Sequence, residues 1–377
     1  MAVARSTALD ALRGAAALGV FVFHAWLYTM ARPDASARST PGDFALHELR
    51  LGLVLFFVLS GFLLYAPWAA GRAPGLAAYA RRRAARILPA YYVALAGSVV
   101  LLWPLAGEPG VRLPAAEDLP LFAVFAQNYG HDTVMRLDPP MWTLAVEVSF
   151  YAVLPLLGAL ALLLPAGRRA QSLLPLALLA AGVAFNWWLS VERPGVVHAK
   201  TLPAMLPYFA LGMLAAVLAH ARAPGRRTRA AMLAGGAALV AADALWHVLR
   251  DAAGAPVEPA MIVRDVPAAA GFALVVVAAA TATGTVRGPT RALAALGTVS
   301  YGFYLWHVPV LLFLRAHGLL PLSTPGAALV GGAASLVVAA ASWRLVERPA
   351  IAWARRSRRV RERRWVIRQP RPGRHTP

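Results

Sequence analysis

The sequence contains no cysteine, and only 14% of its 377 residues are charged. The first absence excludes disulfides, thiolate nucleophiles and cysteine-ligated metals, so any covalent chemistry has to use oxygen or imidazole groups. The second excludes an ordinary soluble domain, in which about a quarter of the residues are charged. With 59% hydrophobic residues and a positive mean hydropathy, the chain is predicted to be an all-α, polytopic membrane protein.

Acidic side chains are also scarce: 17 Asp and Glu stand against 37 Lys and Arg, which gives a formal net charge of +20. Such a charge can indicate a nucleic-acid partner. Here, however, the basic residues lie between apolar stretches or near the C-terminal end. This distribution is typical of loops that face anionic lipid, so the lipid bilayer is the expected partner and nucleic acid is not.

Ten apolar stretches are long enough to cross a membrane as helices. They cover residues 8–30, 51–70, 87–106, 142–164, 172–190, 202–220, 230–249, 266–286, 292–315 and 326–346. The basic loops between them predict a multi-pass protein of the inner (plasma) membrane with both termini in the cytoplasm. The first stretch has no cleavage site of small residues after it, so it is predicted to be a retained span.

Two domains are predicted from composition. Residues 1–351 form one transmembrane domain, in which the longest outer loop runs from about residue 107 to about residue 141. Residues 352–377 carry a run of like charges without apolar periodicity, which predicts a basic, disordered cytoplasmic tail.

The first span, "LDALRGAAALGVFVFHAW" at residues 9–26, carries two ionisable side chains. Arg13 and His24 are eleven positions apart, so they lie on one helix face, about 16 Å apart along the axis. Arg13 falls near the cytoplasmic end, where it can extend to the headgroups and pair with Asp10. His24 falls in the outer half of the bilayer, where a histidine can also be a satisfied core residue.

Polar side chains of other spans are counted to the same outer layer. They are Glu147, Asn186, Asp243, Tyr304 and His307. Each would be costly against lipid, so together they predict an enclosed polar cavity. A purely structural hydrogen-bond network is the alternative, and Asp243 can still be a scaffold group.

The cytoplasmic end of the third span has its own pattern, "YARRRAARILPAYYVAL". Arg83 and Arg86 are three residues apart on one helix face, and arginine suits bidentate contacts with phosphate. A topogenic charge cluster is the alternative reading. In the second span, Ser60 and Gly61 lie at mid-membrane, where small residues indicate either close helix packing or a kink beside a substrate channel.

A polyanionic donor held at the inner face, with a histidine about 16 Å farther out, fits a coenzyme A thioester whose pantetheine arm points outward. His24 is then expected to be the general base for an acceptor hydroxyl, and Glu147 to orient its imidazole. No tightly bound cofactor and no metal site are predicted. Acyl-CoA, with acetyl as the first choice of acyl group, is the expected donor substrate.

Six sequence elements in order resemble the acyltransferase 3 family of integral membrane acyltransferases. They are Arg13 with His24; "FFVLSGF" at 56–62; Arg83 with Arg86; "WTLAVEVSFY" at 142–151; "SYGFYLWH" at 300–307; and "SWRLVERPAI" at 342–351. The resemblance implies O-acyl transfer from cytoplasmic acyl-CoA to a hydroxyl acceptor. It implies donor binding by Arg13, Arg83, Arg86, Ser60 and Gly61, and an acceptor cavity with Trp142, Tyr304 and His307.

The acceptor is expected to carry a sugar, as surface polysaccharide, glycolipid or secondary metabolite. Some family members add an extracytoplasmic esterase-like domain, whereas only a short basic segment follows the last predicted span here. Direct transfer, or transfer through a separate extracytoplasmic partner, is therefore expected. A transporter or permease is the alternative from another class, since polar groups in spans also mark substrate paths. The absence of an inverted sequence repeat argues against it.

Overall fold

The computed structural model describes residues 6–34, 38, 40–165, 167–192, 195–221, 224–253, 265–282 and 287–355. The described residues form helices and connecting turns, and no β-strand occurs among them. The helices are α1 Thr7–Leu27, α2 Pro41–Glu48, α3 Gly52–Ala69, α4 Leu76–Leu102, α5 Leu119–Ala123, α6 Met141–Leu163, α7 Arg168–Glu192, α8 Val196–Ala199, α9 Leu202–Ala221, α10 Arg226–Ala252, α11 Val266–Ala280, α12 Pro289–Ala316 and α13 Thr324–Ser342.

Within the described ranges, nine helices are long and apolar enough to cross a membrane. The polytopic, all-α prediction is confirmed. The predicted eighth span, residues 266–286, differs: its described part is the 15-residue helix α11, and residues 283–286 lie outside the described part. At 1.5 Å per residue α11 is about 22 Å long, shorter than the hydrocarbon core of a bilayer.

Neighbouring contacts fix the direction of the helices that surround the site. At one end, Gly14 of α1 lies against the backbone of Leu293 in α12. At the other end, Arg315 of α12 donates hydrogen bonds to the carbonyls of Tyr28 and Ala31, just beyond α1. These two helices therefore run parallel. We call the face at which α1 begins the near face, and the opposite one the far face.

The helix α6 enters from the far face, because Thr143 in its first turn contacts Tyr304 in the later half of α12. The helix α3 runs beside it in the same direction: Ser60 contacts Glu147, and eight residues on, Trp68 lies against Gly158. The site is thus enclosed by helices that enter alternately from the two faces.

Close packing of glycines sets the two tightest helix pairs. A Cβ on Gly14 or Gly297 would overlap a backbone carbonyl of the partner helix, so α1 and α12 can approach only with glycine at both positions. The same holds for α3 and α9, where Gly61 faces the Phe209 carbonyl and Gly212 faces the Val58 carbonyl. Gly61 is therefore a packing residue that faces α9, which corrects its predicted place in the donor site.

The predicted long outer loop contains short helical segments. Between α4 and α6 it forms α5 and 3₁₀ turns at Trp103–Leu105, Ala116–Asp118 and Gln127–Tyr129. The Tyr91 hydroxyl donates to the Phe122 carbonyl at 2.6 Å, and the Asn128 amide donates to the Trp142 carbonyl at 2.7 Å. The segment therefore packs as a cap on the far end of α4 and α6.

The last helix does not end where the domain boundary was predicted. After α13 the chain passes through a π-helical segment, Trp343–Glu347, and stays helical to Arg355. The predicted boundary at residue 351 thus falls inside a helix. Residues 356–377, which make up most of the predicted tail, lie outside the described residues.

Candidate active site

A cavity of about 310 Å³ lies inside the bundle, between α1, α3, α4, α6 and α12. Six of the residues predicted from the sequence line it: Arg13, Ser60, Arg83, Arg86, Glu147 and Tyr304. These residues come from all five helices, which are far apart in the sequence. The lining mixes these polar groups with apolar side chains such as Leu53, Phe56 and Ile87.

Three arginines dominate the near half of the cavity. Arg13 forms a salt bridge with Asp10 at 3.0 Å, as the sequence suggested. The Arg83 guanidinium lies over the Tyr151 ring at 5.8 Å from its centroid. Among the residues that line the cavity, the three guanidinium groups face a single carboxylate, Glu147. The near half is therefore suited to an anionic ligand.

Glu147 is held by the neighbouring helix. The Ser60 hydroxyl donates to Glu147 Oε1 at 2.6 Å, a length typical of a charge-assisted O–H···O⁻ bond. Ser60 thus lines the cavity as predicted and has a defined partner there. The hydrogen bond joins α3 to α6 at the level of the arginines.

The two predicted histidines meet on the far side of Tyr304. His24 Nδ1 lies 2.9 Å from the Val20 carbonyl and 3.1 Å from His307 Nε2, while His307 Nδ1 lies 2.7 Å from the Tyr304 carbonyl. A carbonyl oxygen can only accept, so in the neutral rings both Nδ1 atoms carry the proton. His307 Nε2 is then the acceptor for His24, and His24 Nε2 is left unprotonated.

This geometry corrects the expected pairing of His24 with Glu147. The imidazole of His24 is oriented by Val20 and His307, and Glu147 bonds Ser60 instead. The reason is depth. Thr143 contacts Tyr304 at one level, Glu147 is four residues deeper on α6, and His307 is three residues farther out on α12. The histidine pair and the carboxylate therefore lie on opposite sides of the Tyr304 layer.

Tyr304 is the wall that the cavity and the histidine pair share. It lines the cavity, and its ring centroid is 5.5 Å from that of His307. Its hydroxyl contacts Thr143 Oγ1 at 2.9 Å and donates to the Pro140 carbonyl at 3.3 Å. Neither His24 nor His307 lines the cavity itself. A ligand inside the cavity therefore has to pass this tyrosine to reach His24.

Structural partners are found for Trp142, which the resemblance placed in the acceptor cavity, and for Asn186 of the predicted outer layer. Trp142 packs against Phe57, with Lys200 Nζ 4.1 Å from its ring centroid, and it does not line the cavity. Asn186 donates to the Ala204 carbonyl at 3.1 Å and joins α7 to α9. Sequence position gave their depth but could not give their rotation about the helix axis.

The elements quoted from the sequence contain further polar residues to which no separate role was assigned. Thr143, Tyr151, Ser300 and Tyr301 line the cavity. Glu347, in the π-helical segment, is buried and interacts electrostatically with Arg86. Bulges of this kind are frequent at functional sites. Glu347 lies in the quoted run "SWRLVERPAI", and an ionisable residue in an apolar span is the signal that could have found it.

Asp138 was also missed. It is 1% exposed, and neither carboxylate oxygen has a hydrogen-bond partner among the described residues. Burial raises the pKa of Asp138 well above its ordinary value. The residue precedes Pro139 and Pro140 at the far-face entry of α6, and it interacts electrostatically with Tyr28 and Tyr304. It is thus a buried acid close to Tyr28 and Tyr304.

Comparison with known proteins identifies a family and several relatives of this chain. A family model described as "Acyltransferase domain" matches residues 6–344. Acyltransferase MdmB of Streptomyces mycarofaciens is 31% identical over 172 residues, an alignment that covers 44% of this chain and 42% of MdmB. The chain thus spans less than half the length of that relative.

Two other relatives match over most of their length. A protein named as a membrane-bound transacylase, BcsY of Komagataeibacter xylinus, is 27% identical over 93% of this chain and 84% of its own. The exopolysaccharide production protein ExoZ of Rhizobium meliloti (strain 1021) is 29% identical over 82% of this chain and 91% of its own. No solved structure matches the chain significantly.

Proposed function

The chain belongs to the family of membrane acyltransferases whose domain it matches over residues 6–344, and from that premise we propose that it transfers an acyl group from acyl-CoA to a hydroxyl of a sugar-containing acceptor. The acyl group is acetyl in the first instance, and the membrane is the inner (plasma) membrane. Membership of an enzyme family leaves the transporter alternative without support. The donor is a substrate, and no resident cofactor is invoked.

One observation carries the proposal: along a single helix, α1 presents Arg13 to one end of a cavity and His24 just beyond the other. The phosphates of coenzyme A bind Arg13, Arg83 and Arg86, since guanidinium groups match phosphate geometry and charge. The pantetheine arm then follows the cavity past Ser60 and Glu147. Its thioester reaches Tyr304, next to the histidine pair.

His24 acts as the general base in this mechanism. Its unprotonated Nε2 takes the proton of the acceptor hydroxyl as the oxygen attacks the thioester carbonyl. The tetrahedral intermediate collapses, the C–S bond breaks, and the leaving thiolate takes the proton back from His24. His307 Nε2, 3.1 Å from His24 Nδ1, accepts the N–H of the transient imidazolium and steadies its charge.

The near face is the cytoplasmic one in this proposal. The basic segments at 81–83, 168–169 and 226–229 lie at the near-face ends of α4, α7 and α10, and such segments favour the cytoplasm. Acyl-CoA then enters from the cytoplasm, and the acceptor reaches His24 from the far face. The acyl group crosses the membrane while coenzyme A stays inside.

The acceptor class is proposed from chemistry and from one relative. ExoZ is named for exopolysaccharide production and matches this chain over most of its length. A sugar hydroxyl of a surface polysaccharide or its lipid-linked precursor is therefore the first candidate. A glycolipid or the sugar of a secondary metabolite offers the same hydroxyl.

Sealed vesicles of known orientation test the proposal. With ¹⁴C-acetyl-CoA on the near-face side only, we expect labelled product from a membrane-impermeant oligosaccharide placed on the opposite side. No product is expected when the donor is moved to the far-face side. His24→Ala is measured in the same assay. Its control is His317→Ala, which changes an exposed histidine just past α12. Product formed only when both substrates share the near-face side would refute the cross-membrane step and leave acyl transfer standing.

A further inference from the structure

A second polar cluster lies at the far-face ends of α10 and α11, away from the cavity. Asp243 and His247 are one turn apart on α10, and Asp265 immediately precedes α11. All three are buried, and one ligand atom of each lies within 4.8 Å of the others. His247 Nε2 is 3.4 Å from Asp265 Oδ1 and 3.9 Å from Asp243 Oδ2. None of the three lines the cavity.

Asp243 is the member that the surrounding protein satisfies least. Its side chain is 1% exposed, and neither carboxylate oxygen has a hydrogen-bond partner among the described residues. The backbone N–H of Ala268 favours the carboxylate but does not reach it as a hydrogen bond. A buried carboxylate without partners is costly. Because its Oδ2 points towards His247 Nε2, the group faces the centre of the cluster.

Among the described residues, the ion pairs around the cluster contain more carboxylates than guanidinium groups. Arg50 contacts Asp265 at 2.8 Å and Glu48 at 3.1 Å. Glu48 also lies 2.9 Å from His47 Nδ1, and Arg38 nearby is paired with Asp251 at 2.8 Å. Among the described residues, these partners leave Asp243 without a hydrogen bond. A divalent cation among Asp243, His247 and Asp265 would give Asp243 the partner that it lacks there.

We propose that Asp243, His247 and Asp265 bind a divalent transition-metal cation of the Zn²⁺ class, with solvent in the fourth position. In a tetrahedral site with bonds of about 2.0–2.1 Å, ligand atoms are separated by about 3.4 Å, and His247 and Asp265 already have this spacing. Asp243 needs only a small side-chain movement. The mixed imidazole and carboxylate set favours Zn²⁺ over Mg²⁺ or Ca²⁺, which prefer oxygen ligands.

The existing contacts of Asp265 are compatible with a metal. Its Oδ1 accepts from Arg50, and its Oδ2 accepts from the Tyr208 hydroxyl at 3.4 Å. Each carboxylate oxygen has two lone pairs, so an oxygen that accepts a hydrogen bond can also bind a cation. Arg50 and Tyr208 then act as outer partners that orient the ligand. The site would tie the ends of α10 and α11 together, and through Arg50 it would tie them to the start of α3.

Metal binding to the purified full chain tests the proposal. The affinity tag is removed, the detergent-solubilised protein is stripped with chelator, and Zn²⁺ is titrated against a chromophoric chelator with metal content measured in parallel. We expect one Zn²⁺ per chain. His247→Ala and Asp243→Asn should each weaken binding at least about tenfold. Asp251→Asn, on the same helix but paired with Arg38, should bind as the unaltered protein does.

Co²⁺ provides a readout that does not depend on the variants. Substituted into the unaltered protein, it should give the intense visible absorption of a tetrahedral site, and that absorption should be lost on adding Zn²⁺. Failure of the unaltered chain to bind Zn²⁺, or binding that His247→Ala and Asp243→Asn leave unchanged, would overturn the site. Because acyl transfer is not measured, neither result bears on the proposed function.

Discussion

The arginine-lined cavity and the Asp243 cluster both place charged side chains inside an apolar bundle, yet they are built differently. Around the cavity, helices from all parts of the chain leave space of about 310 Å³, and guanidinium groups face into it. In the Asp243 cluster, one ligand atom of each of three buried side chains lies within 4.8 Å of the others. The cavity is suited to a ligand that enters and leaves, whereas the cluster is suited to a permanent ion. An ionisable residue in a membrane span can thus serve either a ligand that enters and leaves or a permanent ion.

The largest expected difference between the two regions comes from His24→Ala. Loss of the general base should lower acyl transfer by about 10²- to 10⁴-fold while the thermal midpoint changes little, since the ring sits beside the cavity and not in the Asp243 cluster. Transfer is measured with labelled acyl-CoA, and stability by thermal unfolding in detergent. His247→Ala is the matched variant and should do the reverse. Near-normal turnover in His24→Ala would remove His24 from the mechanism.

The next prediction concerns His307, the partner of His24. His307→Ala removes the acceptor for the His24 Nδ1–H, so kcat should fall on the order of tenfold to a hundredfold with little change in KM for acyl-CoA. His307→Gln places a carbonyl oxygen near the same point and should recover part of kcat. A role in packing alone predicts instead that both variants lose stability together and that Gln gives no recovery.

Arg86→Ala should affect binding more than chemistry. The loss of one charge-assisted contact is about 1.5–3 kcal/mol, so KM for acyl-CoA should rise roughly tenfold to a hundredfold with kcat nearly unchanged. The difference from the unaltered protein should shrink as salt is raised, because salt screens the electrostatic contact that the variant has lost. Arg82→Ala, an exposed neighbour on α4, is the control. If the two variants have equal KM values at every ionic strength, Arg86 does not bind the donor and is only a topogenic charge.

The smallest effect is expected at Asp138, a buried carboxylate that belongs to neither region. Burial raises the pKa of Asp138 in the folded state, so the folded protein holds this proton more tightly than the unfolded chain does. Its contribution is neutral below the unfolded pKa and becomes destabilising as pH rises towards the folded pKa. Asp138→Asn should therefore raise stability at pH 7 by about 1 kcal/mol and flatten the decline of stability above pH 4.

Measured acyl transfer shows whether Asp138 belongs to the active site or to the scaffold. Unfolding of the Asn variant is compared with the unaltered chain at pH 4 and pH 7, and acyl transfer is measured on the same samples. With full activity and a gain in stability at pH 7, Asp138 is part of the scaffold. A stability curve parallel to that of the unaltered chain at all pH values would show that the carboxylate is not buried unpaired.

Several features of this site could be predicted from the sequence because each involves residues of a single helix. Arg13 and His24 lie at opposite ends of one face of α1, and Arg83 and Arg86 lie one turn apart on α4. Helical periodicity fixes such relations before any tertiary contact forms. The spans themselves follow from apolar length, since backbone polar groups in lipid must be satisfied within a helix.

Relations between helices were predicted less well. Depth counting put His24 and Glu147 in one layer, but the rotation and offset of α6 against α1 separate them. The family resemblance placed Gly61 and Trp142 in the site, but Gly61 faces α9 and Trp142 packs under Lys200. An error of one residue in a span boundary turns a side chain by 100°, so sequence alone leaves the facing direction open.

By itself, the sequence determined that the protein is an all-α membrane protein, which residues are its ionisable groups, and which of them share a helix face. These properties are local, because they depend on apolar length and helical period. Only the tertiary structure decided that His307 is the partner of His24, that Ser60 holds Glu147, and that Asp265 joins Asp243 and His247. Each of those contacts crosses between helices whose approach is set by small residues and side-chain packing, such as Gly14 against Gly297. Packing of this kind depends on the shapes of both partners at once, and neither segment contains it alone.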